Sequence, residues 1–307
     1  MSQSTFKLLN ARKGFGLSIT IASIVVLGAC APAQFEAIDE VEAGFNEPPS
    51  VVEPDPTSPV VPVDPARPVQ KSAETFTQDE TANKVDILIV NDNSSSMDDE
   101  QRKMAERFGS FISNISDIDY RIATTTTDVN PTSRYFLGGK LLTWAGTLSN
   151  VLTPLVSDAA TTFQNTIVRN ETIGCYDKPG GWDCPSVTEE PLKAMMLAID
   201  QREGINSGFL RDRVDLVTVV LTDEDEMSTG PTNATTAAQV MQHFANTFGL
   251  TKRLVVHGII IKPGDIACKT AQDAQTHSGV GAAYGQRVVD LATTTGGTTA
   301  SICDTDY

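Results

Sequence analysis

From Lys84 onward, short apolar runs alternate with stretches of helical period, and this alternation constrains the fold more than any other feature. Val85–Val90, with one aspartate inside it, has the length of a single buried strand. Met97, Met104, Phe108, Phe111, Ile112 and Ile115 then recur at helical spacing. Tyr120–Thr127 reads as a second strand, and Tyr135–Leu142, with Gly138-Gly139 inside it, as a hairpin partner. Further helices are expected over Ala159–Val168, around Leu192–Ile199, over Thr235–Phe248 and over Val280–Ala292. Further strands are expected over Val214–Thr222, Leu254–Ile261 and Ala300–Cys303. Strands and helices in this order imply an α/β domain with a central, mostly parallel sheet and helices on both faces. Such sheets bind ligands beyond the carboxyl ends of their strands.

Two of those strand ends are acidic and rich in hydroxyls. The first is "VNDNSSSMDDEQ", residues 90–101, in which Asp92, Ser94 and Ser96 are spaced D-x-S-x-S. In a tight loop, alternate residues can turn their oxygens to one point. Hard cations take oxygen ligands, and serine hydroxyls add coordination without adding charge, so the ion stays electrophilic. Asp98, Asp99 and Glu100 fall in the first turn of the next helix, where they complement its dipole. The second strand end is "LTDEDEMS", residues 221–228.

The block "VDILIVNDNSSSM" resembles the first motif of the von Willebrand factor A (vWA) domain, and "VVLTDED" resembles its late aspartate motif. "RIATTTTD", "GFLR" and "GGTTASICD" are similar to a bacterial subgroup of exported vWA domains. The resemblance covers roughly residues 80–307 and implies a Rossmann-like vWA fold with a metal-ion-dependent adhesion site. It assigns Asp92, Ser94, Ser96 and Asp223 as ligands of Mg²⁺, with Mn²⁺ or Ca²⁺ as alternatives. The family also uses a threonine from a loop that should fall near "CPSVTEEPLKA". Thr188 is the natural candidate, while counting back from Ala194 puts Glu189 in register, and both stay open. With Asp92 and Asp223 alone a divalent ion is formally neutralised. A third carboxylate makes the site net negative and a poorer acceptor for an acidic partner. Glu224, Asp225 and Glu226 read as a solvated acidic loop or, less simply, as a second cation site. Thr124–Asp128 reads as partly structural, with Asp128 as a cap on the next segment.

Residues 1–29 carry Lys7, Arg12 and Lys13 ahead of an apolar stretch, Phe15–Ala29, which is short for a membrane span. The stretch ends Leu27-Gly28-Ala29-Cys30, which resembles a bacterial lipoprotein signal with Cys30 as the lipidated first residue of the mature chain. Ala31 in place of aspartate suggests the outer membrane. Eight prolines between Pro48 and Pro68 make residues 30–83 a Pro-rich, disordered tether. The vWA domain then spans 84–307. Loss of residues 1–29 leaves 20 Lys and Arg against 39 Asp and Glu, a net charge of −19. Such a chain is repelled by nucleic acid and by anionic lipid, so its membrane contact is expected through the lipid anchor.

Four cysteines remain in the mature chain, an even number that suits an exported protein with disulfides, expected as Cys175–Cys184 and Cys268–Cys303. Trp182, between the first two, reads either as a contact residue beside the metal face or as a ring packed on the disulfide. The three histidines lie outside every motif. The expected function is therefore that of an envelope lipoprotein, facing the periplasm or the outside, rather than an enzyme. Its vWA domain would serve adhesion or protein binding through a partner carboxylate on the ion. The alternatives are a metal-dependent hydrolase and a scaffold whose ion serves stability alone. Domains of this class usually close with a C-terminal helix. With Tyr307 four residues after Cys303, the face such a helix covers is expected either to pair or to lie under part of residues 69–84.

Overall fold

The computed structural model describes residues 83–177, 183–185, 188–228, 234–276 and 281–305. The chain divides into two units between Ser72 and Ala73, and the first lies wholly outside the described residues. So do Cys30, Trp182 and the whole of the expected signal and tether.

The elements run β1 (Lys84–Asn91), α1 (Asp98–Asn114), β2 (Asp119–Thr126), α2 (Ala159–Ile167), α3 (Pro191–Asp200) and β3 (Leu216–Leu221). They continue with α4 (Ala237–Phe248), β4 (Leu254–Ile260), α5 (Ile266–Asp273), α6 (Gln286–Thr295) and β5 (Thr299–Ser301). Among the described residues the five strands form one sheet in the order β2-β1-β3-β4-β5, with every pair parallel. Successive side chains of a strand point to opposite faces, and the core divides accordingly. Leu88 and Val90 pack with Leu192, Met195, Val240, Phe244 and Val288 of α3, α4 and α6. Ile87 and Ile89 pack with Phe108 of α1 and Phe163 of α2 on the other side. Each such side chain, fully buried, contributes about 1.5–3 kcal/mol. A third cluster, with Met97, Leu221, Ile261 and Ile302, closes the carboxyl ends of the strands.

The order reverses at β1, which has β2 on one side and β3 on the other. Such a reversal opens a crevice at the carboxyl ends, the usual ligand position of an open α/β sheet. Asp92 and Asp223 follow the two strands that flank it.

Two disulfides are present, Cys175–Cys184 and Cys268–Cys303. At the opposite end of the sheet, Asp86 of β1 is fully buried. It accepts from the Arg211 backbone N–H (2.7 Å) and Nε (2.8 Å), with Lys252 Nζ at 3.5 Å. Burial nonetheless outweighs both cations and raises the Asp86 pKa.

Two elements differ from expectation, and one helix is additional. Residues 135–142 form no strand. Leu137 and Gly138 donate from their backbone N–H groups to the Asp128 carbonyl, and Gly139 turns left-handed (φ 83°) against α3. A Cβ on Gly139 would lie 2.5 Å from the Ala198 nitrogen, so the glycine serves close packing rather than a hairpin. The antiparallel contact to β2 is instead a single bridge, Ile122 to Leu152. The last helix is displaced from 280–292 to Gln286–Thr295, starting after Gly285 and ending at left-handed Gly296 (φ 74°). Helix α5 was not expected; Asp265 starts it by accepting from the Cys268 N–H at 2.9 Å.

Candidate metal centre

Strand β1 ends by placing Asp92 beside β3, with its N–H donating to the Leu221 carbonyl at 3.0 Å. The chain then turns tightly. Asp92 Oδ1 accepts from the Ser94 N–H at 2.8 Å and from Thr127 Oγ1 at 3.3 Å. Its Oδ2 accepts from Thr222 Oγ1 at 2.6 Å. One carboxylate thus draws together the ends of β1, β2 and β3. The Ser94 and Ser96 hydroxyls lie 3.2 Å apart, as the D-x-S-x-S spacing implies.

The loop is fixed from behind. Gln101 of α1 donates to the Asp92 carbonyl (2.7 Å) and accepts from the Arg169 N–H (2.8 Å), while Thr172 donates to the Asn93 carbonyl (2.8 Å). The segment Arg169–Thr172 leads directly to the Cys175–Cys184 bridge, so the disulfide lies close in sequence to a support of the site.

Glu189 and Asp223 complete the cluster. Both are buried, at 1% and 0% exposure, and neither oxygen of either side chain accepts a hydrogen bond of ordinary geometry. The pKa of each is raised well above the carboxylate range, first by burial, then by the charge of Asp92, then by that of Glu224. The Ser96 hydroxyl eases the shift of Asp223. Asp92 is raised too, by burial, against the hydrogen bonds from Thr222 and Ser94. Glu224 is pushed up to about 7, first by burial and also by the charge of Asp92. Thr188, one residue earlier, is half-buried; the electrostatic coupling to Asp92 and Asp223 runs through Glu189.

The run after Asp223 is not a solvated loop. Asp225 Oδ1 accepts from the Arg287 N–H at 3.0 Å in the first turn of α6, and Glu226 Oε2 accepts from the Leu192 N–H at 2.6 Å in the first turn of α3. Neither helix has a side-chain cap from its own N-terminal residue. These carboxylates supply the missing acceptors and complement both dipoles. Glu226 is pushed up to about 7 by burial, against those hydrogen bonds.

The structure therefore brings Asp92, Ser94, Ser96, Glu189 and Asp223 to one crevice. Thr127, Thr222, Gln101 and Thr172 support it and were missed. Thr222 and Thr127 sit at strand ends beside motif residues, a signal that was available. Gln101 and Thr172 carried no signal in the sequence. Among the described residues no three His, Cys, Asp or Glu side chains close into a ready-made metal cage. The oxygens still fit a hard cation. Four carboxylate oxygens of Glu189 and Asp223 lie out of solvent without donors, next to two neutral hydroxyls.

No family model matches the chain, and no curated protein matches it. Among solved structures it is similar to proximal thread matrix protein 1 from the mussel byssus (TM-score 0.34, 12% identity). That match covers 68% of this chain and 46% of that one. It is also similar to the pilus adhesin SpaC from Lactobacillus rhamnosus GG (TM-score 0.29, 10% identity), over 69% of this chain and 30% of that one. This chain spans less than half the length of either protein, and likenesses this distant bear on neither fold nor function.

Proposed function

We propose that the domain is a vWA-type head on a lipid-anchored envelope protein. It holds one divalent cation, Mg²⁺ or alternatively Mn²⁺ or Ca²⁺, among Asp92, Ser94, Ser96, Glu189 and Asp223. Through that ion it engages a protein partner. The observation that carries this reading is the pair Glu189 and Asp223: buried carboxylates without donors, beside a third carboxylate. An unsatisfied buried polar group costs about 1–3 kcal/mol, and more when charged. A hard cation offsets that cost.

Asp92 is already oriented by Ser94, Thr127 and Thr222, so an ion meets a pre-set first ligand. Glu189 in the third loop makes the site net negative around a divalent ion. A partner carboxylate then has to displace Glu189 from the ion rather than add to it. His243 lies 3.1 Å from Asp200, and His257 Nδ1 lies 2.9 Å from the Thr298 hydroxyl, so both are engaged elsewhere.

A second reading, an ion that serves stability alone, is favoured by the burial of Asp92, Glu189 and Asp223 at 0–1% exposure. Capture of envelope proteins by the mature protein, with and without EDTA, separates the readings when melting is followed in parallel. Loss of a partner on EDTA with the head still folded supports binding. A large fall in melting temperature with unchanged capture supports the structural ion, and metal-dependent turnover of a substrate would place the protein among hydrolases.

A further inference from the structure

Short helices keep their place in a fold mainly through an apolar face packed on its neighbours. Helix α5 lacks one. Of its eight residues only Cys268 and Gln272 are buried, and Ile266 is 73% exposed. What fixes the helix is the Cys268–Cys303 disulfide, which ties it to the chain just beyond β5, together with glutamine amides at its C-terminal end.

Those amides reach the surroundings of the metal centre. Gln272 Nε2 donates to Glu100 Oε1 of α1 at 2.9 Å, alongside Lys103 Nζ at 3.3 Å. Gln275, two residues past α5, donates from its amide nitrogen to Glu100 Oε2 at 3.1 Å and to the Ser96 carbonyl at 3.3 Å, in the orientation that satisfies both groups. Ser96 is one of the proposed ligands, and Glu100 lies fully buried in the first turn of the helix that follows it. Asp223, whose pKa is raised first by burial, also feels the charge of Glu100. Further along, the Gly281 N–H donates to Asp273 Oδ1 at 3.2 Å and the Ala283 N–H to the Asp223 carbonyl at 2.9 Å. The surroundings of both Ser96 and Asp223 are thus set from α5, and α5 is set by a disulfide.

We propose that α5 is a positioning element of the metal centre, and that the Cys268–Cys303 bridge makes cation affinity depend on redox state. The oxidised protein binds the ion tightly, and reduction weakens binding while the sheet stays folded. The proposal rests on the metal reading given above. Cys268 is 4% exposed and Cys303 is half-buried, so a dithiol reductant attacks Cys303 Sγ. The Cys268 sulfur leaves as a thiolate and takes a proton. The second thiol of the reductant then closes the reductant's own disulfide and releases Cys303, so two electrons and two protons pass from the dithiol to the bridge. With the tie cut, a helix of eight residues does not hold its place by propensity. Glu100 and the Ser96 carbonyl then lose their amide donors, and the D-x-S-x-S turn loosens.

The test titrates Mn²⁺ calorimetrically into the oxidised mature protein and into Cys268→Ser/Cys303→Ser, in which Cys175–Cys184 stays closed. Amide hydrogen exchange of residues 94–101 is followed in both without metal. Affinity about 10–100-fold lower in the variant is expected, with faster exchange at 94–101 and in α5 and unchanged exchange in β1 and β3. Gln275→Ala keeps the bridge and changes an exposed residue, so it tests the same link without risk to the fold. It should weaken Mn²⁺ binding about 10-fold with melting in EDTA unchanged. Equal affinity in the bridge variant, or in Gln275→Ala, overturns the proposal. An oxidised wild type that binds no ion overturns the metal reading instead, and exchange at 94–101 then decides the link alone: unchanged exchange in the bridge variant refutes it.

Discussion

Glu189→Gln should act in opposite directions on the metal-free and the metal-bound protein. Without metal, the Glu189 carboxyl is 1% exposed, has no donor to either oxygen, and is opposed by Asp92, Glu224 and Asp223. Glutamine keeps the shape, cannot ionise and brings an N–H₂ group toward those carboxylates. Relief of an unsatisfied buried group is worth about 1–3 kcal/mol. In a domain of this size that corresponds to a rise of roughly 2–10 °C in melting temperature at pH 8. With metal the sign reverses. An ion at a hundredfold excess over its Kd stabilises the fold by about 2.7 kcal/mol. If loss of the anionic ligand weakens binding about 100-fold, the same ion concentration contributes only about 0.4 kcal/mol. Thermal melts of wild type and variant, with EDTA and with Mg²⁺ or Mn²⁺ at one fixed concentration, read both effects. A variant less stable than wild type in EDTA, with an undiminished metal-induced rise, would refute the placement of Glu189 at the ion.

Arg211→Ala should cost about 1–3 kcal/mol in urea unfolding, because it removes the side-chain donor from the buried Asp86 carboxylate and leaves it the backbone N–H and Lys252; Asp86→Asn in the same background should recover part of it, and no measurable loss would show that the pair is idle. Glu224 and Glu226, at about 7, bind a proton more tightly in the fold than the unfolded value near 4.5 allows. Their stabilisation is complete below about pH 4.5 and lost as pH rises through 7, so the metal-free protein should melt at lower temperature at pH 8 than at pH 5.5. Glu226→Gln should flatten that slope, and a slope unchanged by it counts against the buried cap. Cys30→Ser should abolish fatty-acid labelling and release the protein from the membrane fraction; a variant that still labels and sediments contradicts lipidation there.

Much of the scaffold was legible because single segments carried it. Val85–Val90 specifies β1 by its apolar run, and the alternation of strands with helices specifies a parallel sheet. Asp92, Ser94 and Ser96 were legible because their relation is local, two residues apart in one turn. The cysteine pairs formed as expected. What stayed hidden depends on contacts between distant segments. Asp225 and Glu226 cap helices that start at Gln286 and Pro191, and nothing near residues 225 and 226 announces either neighbour. Gly138-Gly139 carries the same composition as a hairpin turn, and its role came from the approach of α3. Thr188 and Glu189 differ by one step of loop register, which composition does not specify; the charge of Asp92 acts on Glu189.

The central claim is a divalent-cation centre organised by Asp92. Calorimetric titration of Mg²⁺ and of Mn²⁺ into the mature protein and into Asp92→Ala, with circular dichroism to confirm that both are folded, tests it most directly. Saturable one-to-one binding in the wild type, and none in Asp92→Ala with the fold intact, is the predicted result. Affinity undiminished in Asp92→Ala, or no binding by the folded wild type at millimolar ion, would contradict it.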